Sequence, residues 1–122
     1  MCAERRLQTS SASAFAITTN GASIDASIDA PAAQSWFSFT GQAGYTYQIE
    51  TVLGSLTDTM VDLVGTDAST VIVENDDDDR DPNSYASFIE WTCPGDGTYY
   101  VMVKGYGRAV GTFSVMVTEG EY

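Results

Sequence analysis

The chain has 122 residues, 43% of them apolar, with seven Tyr, five Phe and two Trp, and a formal charge of −12 from 17 acidic and only five basic side chains. That length suits one domain with a single hydrophobic core, and the aromatic content argues against a disordered acidic segment. The negative field repels phosphate backbones and anionic membrane surfaces, which sets aside nucleic acid as a partner, and the lack of any His removes most transition-metal sites and general-base triads.

Residues 1–13 are small, polar and rich in Ser and Ala, a tail or linker ahead of a domain spanning 14–119. From there the period is two. Ile24, Ala26 and Ile28 alternate with Asp25, Ser27 and Asp29, which predicts a strand with one apolar face. Phe37 and Phe39, then Tyr45, Tyr47 and Ile49, predict two more, and Gly41-Gln42-Ala43-Gly44 between them has a length that suits a hairpin. Val61 and Leu63 mark the next strand, followed by Val71 and Val73 after a turn near Gly65-Thr66-Asp67. Beyond an acidic loop the pattern resumes over Ser84 to Trp91, turns at Pro94-Gly95-Asp96-Gly97 and runs through Val101 and Val103. Val115 and Val117 close the domain after Gly105-Tyr106-Gly107.

No stretch shows a helical period, and no apolar run approaches transmembrane length, so membrane insertion is not expected. Met1 to Arg6 lacks the apolar centre of an export signal, which in a mature or excised piece says nothing against secretion. Short strands punctuated by Gly, Pro, Asn and Asp predict an all-β fold, an antiparallel two-sheet jelly-roll β-sandwich of about eight strands. Its predicted core is Phe37, Phe39, Tyr47, Ile49, Leu63, Ile89, Trp91, Val101, Val103, Val115 and Val117.

The most distinctive chemistry is the run Asp76, Asp77, Asp78 and Asp79 inside Glu74-Asn75-Asp76-Asp77-Asp78-Asp79-Arg80-Asp81, between two predicted strands. Adjacent carboxylates repel, so a compact loop needs full hydration or a shared cation. Calcium fits best, because it accepts six to eight hard oxygens in a tolerant geometry. The expected ligands are Asp76, Asp77 and Asp78, with Asn75 or a loop carbonyl filling in; the competing reading is a solvated charge run that keeps neighbouring sheets away. The EF-hand pattern is absent, with Asp81 and Ser87 where its Gly and closing Glu belong. Asp58, before Thr59, either caps a turn or reaches the same cation. Asp62 alternates with Val61 and Leu63 and is expected on the surface.

Cys2 and Cys93 match no zinc or redox motif; they are the candidate pair for a disulfide in an oxidising compartment, with two free thiols as the alternative. Tyr100, Met102 and Met116 fall on strand faces opposite Val101, Val103 and Val115. They form a candidate outward binding face, or a patch that flanking segments cover. Lys104 and Arg108 either pair with nearby acids or anchor a partner's carboxylate. Trp91 shares a face with Ile89 and is expected in the core, whereas Trp36 is also a candidate for stacking on a ligand.

Several blocks in order carry a family resemblance: Trp36-Phe37-Ser38-Phe39 with Ala43-Gly44-Tyr45-Thr46-Tyr47; Leu56-Thr57-Asp58-Thr59 with Val61-Asp62-Leu63; Glu74-Asn75-Asp76-Asp77; Ser87-Phe88-Ile89-Glu90-Trp91-Thr92; and Gly97-Thr98-Tyr99-Tyr100-Val101 through Gly111-Thr112-Phe113-Ser114. Over Trp36 to Thr118 the chain resembles the bacterial pre-peptidase C-terminal domain family. The resemblance implies a jelly-roll sandwich without catalytic activity, frequent calcium binding, and roles in secretion, surface retention or binding of collagen-like and polysaccharide substrates. It also strengthens the metal reading of Asp58. Cys93 stands where the family usually has a small residue, and the acidic loop is richer in Asp than the common pattern.

The function expected from these features is a non-catalytic, calcium-binding extracellular or cell-surface module for adhesion, substrate targeting or surface retention, with an extracellular protein or polysaccharide as partner. The alternative is a structural subunit that assembles with copies of itself into an extracellular fibre or surface layer. An enzyme is not expected. Glycoside hydrolysis needs two carboxyls at a fixed separation across a cleft, whereas the acids here crowd into one loop.

Overall fold

The computed structural model describes residues 14–30, 33–56, 58–75, 87–105 and 109–120. These contain nine strands: β1 (Phe15–Ala16), β2 (Ile24–Ile28), β3 (Gln34–Gly41), β4 (Thr46–Leu53), β5 (Thr59–Val64), β6 (Val71–Asn75), β7 (Phe88–Thr92), β8 (Gly97–Gly105) and β9 (Gly111–Gly120). They form two sheets, in the orders β1-β3-β8-β5-β6 and β2-β9-β4-β7. The strand absent from the sequence reading is β1, two residues added in parallel to β3. Without it, two antiparallel four-stranded sheets remain. From β2 to β9, only the β5–β6 link joins neighbours in one sheet; every other link crosses to the opposite sheet. That interleaving is the double Greek key of a jelly roll.

The link Gly41 to Gly44 is therefore a corner and not the expected hairpin. Strand β3 is already flanked by β1 and β8, so the chain must leave its sheet, and β4 pairs with β7 and β9 on the other side. The corner is fixed from outside itself. Gly44 N donates to Cys93 O at 2.8 Å, Ala43 N to an Asp96 carboxylate oxygen at 2.8 Å, and Gln42 N to the Tyr47 phenol at 2.9 Å. The β5–β6 turn is a true hairpin. In it Asp67 accepts from the amides of Ser69 and Thr70 and from the Thr70 hydroxyl, which holds its carboxyl down at about 2.

Period-two alternation turns one row of the longer strands inward, and those rows meet as the core. All the predicted core residues are buried except Trp91, which is half-buried against it; Ile17, Ile28, Leu56, Val61, Cys93, Tyr99 and Phe113 complete the set. A fully buried Val, Leu, Ile or Phe contributes roughly 1.5–3 kcal/mol, so these rows dominate the stability. One end of the core is aromatic: Phe39, Tyr47, Trp91 and Tyr99 pack with ring centroids between 4.8 and 6.2 Å apart. The Tyr47 hydroxyl donates to Glu119 Oε1 at 2.7 Å, and burial with that bond pushes the phenol up to about 12.

Candidate functional site

Asp76, Asp77, Asp78 and Asp79 lie outside the described residues, but both ends of their loop are placed. At the entry, the backbone of Asn75 pairs with Val61 on β5. At the exit, Ser87 is buried and bonded to β4 and β5. Its amide donates to Thr51 Oγ1 at 2.8 Å and its carbonyl accepts from Thr51 N at 3.0 Å. Its hydroxyl donates to Thr59 O at 2.8 Å, which fixes the remaining proton directions: Thr59 Oγ1 donates to Ser87 Oγ at 2.9 Å, and Thr51 Oγ1 donates to Thr59 Oγ1 at 2.8 Å. Each of the three hydroxyls thus spends its one proton on another buried oxygen.

Both ends of the loop therefore rest on the first three residues of β5, a stretch of roughly 7 Å at strand spacing. Half-buried Asp58 immediately precedes that stretch, so the fold brings the candidate ligand from before β5 to the base of the acidic loop. That Asn75 lies opposite Val61, three residues from Asp58, is invisible in the linear spacing and follows from the β5–β6 ladder. The hydroxyl clamp was also missed. Its signal was present, since Thr51 and Thr59 occupy inward positions in phase with Ile49 and Val61. Among the described residues no three His, Cys, Asp or Glu side chains cluster as metal ligands.

The candidate binding face divides between the two sheets. Tyr100 and Met102 lie on the outer face of the five-stranded sheet, where β8 pairs with β3 and β5, but Met102 is covered there, at 5% exposed, and offers no binding area. Met116 lies on β9, in register with Glu50, on the outer face of the other sheet. A single patch of the three is thus corrected to two separate surfaces. Trp36 belongs with Tyr100, in an edge-on pair with centroids 6.3 Å apart, and its indole donates to Gln34 Oε1 at 3.0 Å. Trp91 points inward, as expected.

Asp62 is the larger surprise. Expected at the surface, it is 7% exposed on the outer face of the five-stranded sheet, and its Oδ1 makes no hydrogen bond. It lies between Met102 on β8 and Glu74 on β6 in the ladder. Burial first, then the Glu74 carboxylate, pushes its carboxyl above the usual value, while the Lys104 ammonium pulls the other way. Lys104 thus acts on Asp62 only through its charge; Arg108 lies outside the described residues. Cys93 is a buried free thiol whose Sγ donates to Gly95 O at 3.0 Å, and Cys2 lies outside the described residues.

Among solved structures, the fold is similar to the pre-peptidase C-terminal domain of a collagenase from Bacillus anthracis, with TM-score 0.66 and 16% identity, covering 86% of this chain and 94% of that one. It is also similar to PliG, a periplasmic inhibitor of g-type lysozyme, from Aeromonas hydrophila (TM-score 0.58, 12% identity, 85% and 96% covered). PliG from Salmonella Typhimurium gives TM-score 0.58 at 14% identity, with 86% and 97% covered. At such identities the likeness is one of fold. A search of curated proteins finds no match. The family model of the bacterial pre-peptidase C-terminal domain matches residues 33–105, more than half of the chain, and the chain belongs to that family.

Proposed function

We infer that the chain is a non-catalytic module of an exported protein, which holds a partner outside the cell and uses its acidic loop as a calcium-dependent corner. Family membership supports the non-catalytic reading, and the collagenase domain of the same fold supports an extracellular setting. The observation that carries the calcium reading is the convergence of Asp58 with both ends of the Asp76–Asp79 loop on the start of β5. The donor set is all hard oxygen, from Asp58, Asp76, Asp77 and Asp78 with Asn75, and it suits a hard cation. Bound calcium would neutralise the loop's self-repulsion. The chain's own part is to hold the loop ends: Asn75 by the ladder, Ser87 by the hydroxyl clamp.

The partner surface in this reading is the outer face of the five-stranded sheet, where Trp36 and Tyr100 supply aromatic area beside Gln34 and Lys104. Aromatic anchors with adjacent polar groups suit a fibrous protein or a polysaccharide. Co-sedimentation with insoluble collagen and with insoluble polysaccharide tests it. The expected result is retention on one of them that falls roughly tenfold or more in the Trp36→Ala/Tyr100→Ala variant, the loss typical of removing interface anchors. Retention on neither, or undiminished retention of the variant, contradicts the assignment.

A further inference from the structure

We propose that Asp62 is a proton latch on the edge of the five-stranded sheet: with its proton on, the carboxyl donates to the Glu74 carboxylate and holds β6 to β5, and with the proton off the two carboxylates oppose each other and β6 loosens. Strand β6 is the edge of its sheet and has β5 as its neighbour there. Asp62 and Glu74 are cross-strand partners in that ladder, on the same face, so whatever acts between them acts on the attachment of β6. Glu74 is exposed, whereas Asp62 is 7% exposed with an oxygen that accepts nothing. An ionised carboxylate in that position leaves a buried acceptor unmet, while the protonated form gains a donor aimed at an acidic neighbour.

Among the described residues the groups facing Asp62 are few. From β6 comes Glu74; from β8 come Met102 directly opposite, with Lys104 and Tyr100 one step along the same face; on β5 itself, Met60 and Val64 flank it. The Lys104 ammonium is the one described positive charge, and it favours the ionised form. Burial and Glu74 outweigh it, so the carboxyl is displaced upward. The sign follows. The folded protein keeps the Asp62 proton to higher pH than the unfolded chain does. The stabilisation is therefore complete below the unfolded carboxylate value and is lost as pH rises through the folded value. Unlike the usual salt-bridged aspartate, this one weakens its strand on the alkaline side.

The test is hydrogen exchange of the Val71–Glu74 amides in the intact chain, with chelator present throughout so that no cation contributes. Amides of β3 serve as the internal reference, and rates are corrected for intrinsic exchange. From about pH 4 to about pH 8, opening of β6 relative to β3 is expected to rise about tenfold for each unit by which the Asp62 value is displaced. In Asp62→Asn the slope is expected to vanish. Carboxyl carbon NMR of Asp62 in the unmodified chain gives a second readout that needs no variant, and its midpoint is expected above the usual aspartate value. A flat profile in the unmodified chain, an unchanged slope in Asp62→Asn, or an Asp62 midpoint at or below the usual value would each overturn the proposal.

Discussion

Thr59 shows how one hydroxyl connects packing to function. It is fully buried in phase with Val61 and Leu63, where a Val would fill the same space. Its Oγ1 nevertheless relays a proton chain from Thr51 to Ser87, and Ser87 is where the acidic loop returns to the sandwich. Replacing it by Val conserves volume but leaves the Thr51 hydroxyl without its acceptor, at a cost of about 1–3 kcal/mol. Urea unfolding of Thr59→Val should show that loss. A variant as stable as the parent would mean that the clamp adds nothing to the fold. The same pattern shows what a sequence conceals at this scale. Alternation reveals which way Thr51, Thr59 and Asp62 point, but not whether a polar side chain meets a partner there. Asp62 reads as a surface residue because its face is the outer one; its burial depends on neighbours contributed by β6 and β8.

At the scale of elements, the strands and their inward rows are legible because a period of two is a property of each strand alone. Partners are not. A four-residue link with glycines at both ends, Gly41 to Gly44, is equally compatible with a hairpin and with a corner between sheets. The choice was made by β8 occupying the far side of β3. Likewise, Val101 and Val115 look alike in sequence although their strands lie in opposite sheets, which is why Met102 and Met116 do not share a face. The crossing links are where the fold is least tolerant. The β4–β5 link is tied to the start of β9 by Gly54 N and Leu56 N, each donating to Thr112 O at 3.0 Å, and by Thr112 N donating to Ser55 Oγ at 2.9 Å. Gly111 has a φ of +142° beside this knot, and a Cβ there would lie 2.6 Å from the Ser55 carbonyl carbon. Gly111→Ala is expected to cost about 1–3 kcal/mol. Gly95→Ala, with nothing within 4 Å of the added atom, is the matched control and should change stability by no more than a few tenths of a kcal/mol. Equal denaturation midpoints for the two variants would contradict the close approach at Gly111.

The whole molecule combines an inert core with an acidic exterior, a charge of −12 carried on 122 residues. Such a surface favours solubility and repels like-charged partners, and it concentrates its greatest self-repulsion in the loop between β6 and β7. The loop's composition was plain from the sequence. That its two ends come to the first three residues of β5, next to Asp58, emerged only with the sheet order, because Asn75 is set opposite Val61 through a hairpin and Ser87 against Thr59 through a crossing. If that convergence serves to hold calcium, the ion should stabilise the entire sandwich by mass action, because only the folded chain brings Asp58 and the acidic run to one place. The decisive measurement is the melting temperature with millimolar calcium and again after chelator, for the parent chain and for the variant Asp76→Asn/Asp77→Asn/Asp78→Asn. The expected result is a rise of roughly 5 °C or more in the parent, reversed by chelator, and none in the variant, whose melting point should match or exceed that of the chelated parent. A parent melting curve that calcium does not move, or a variant that calcium stabilises just as well, would contradict it.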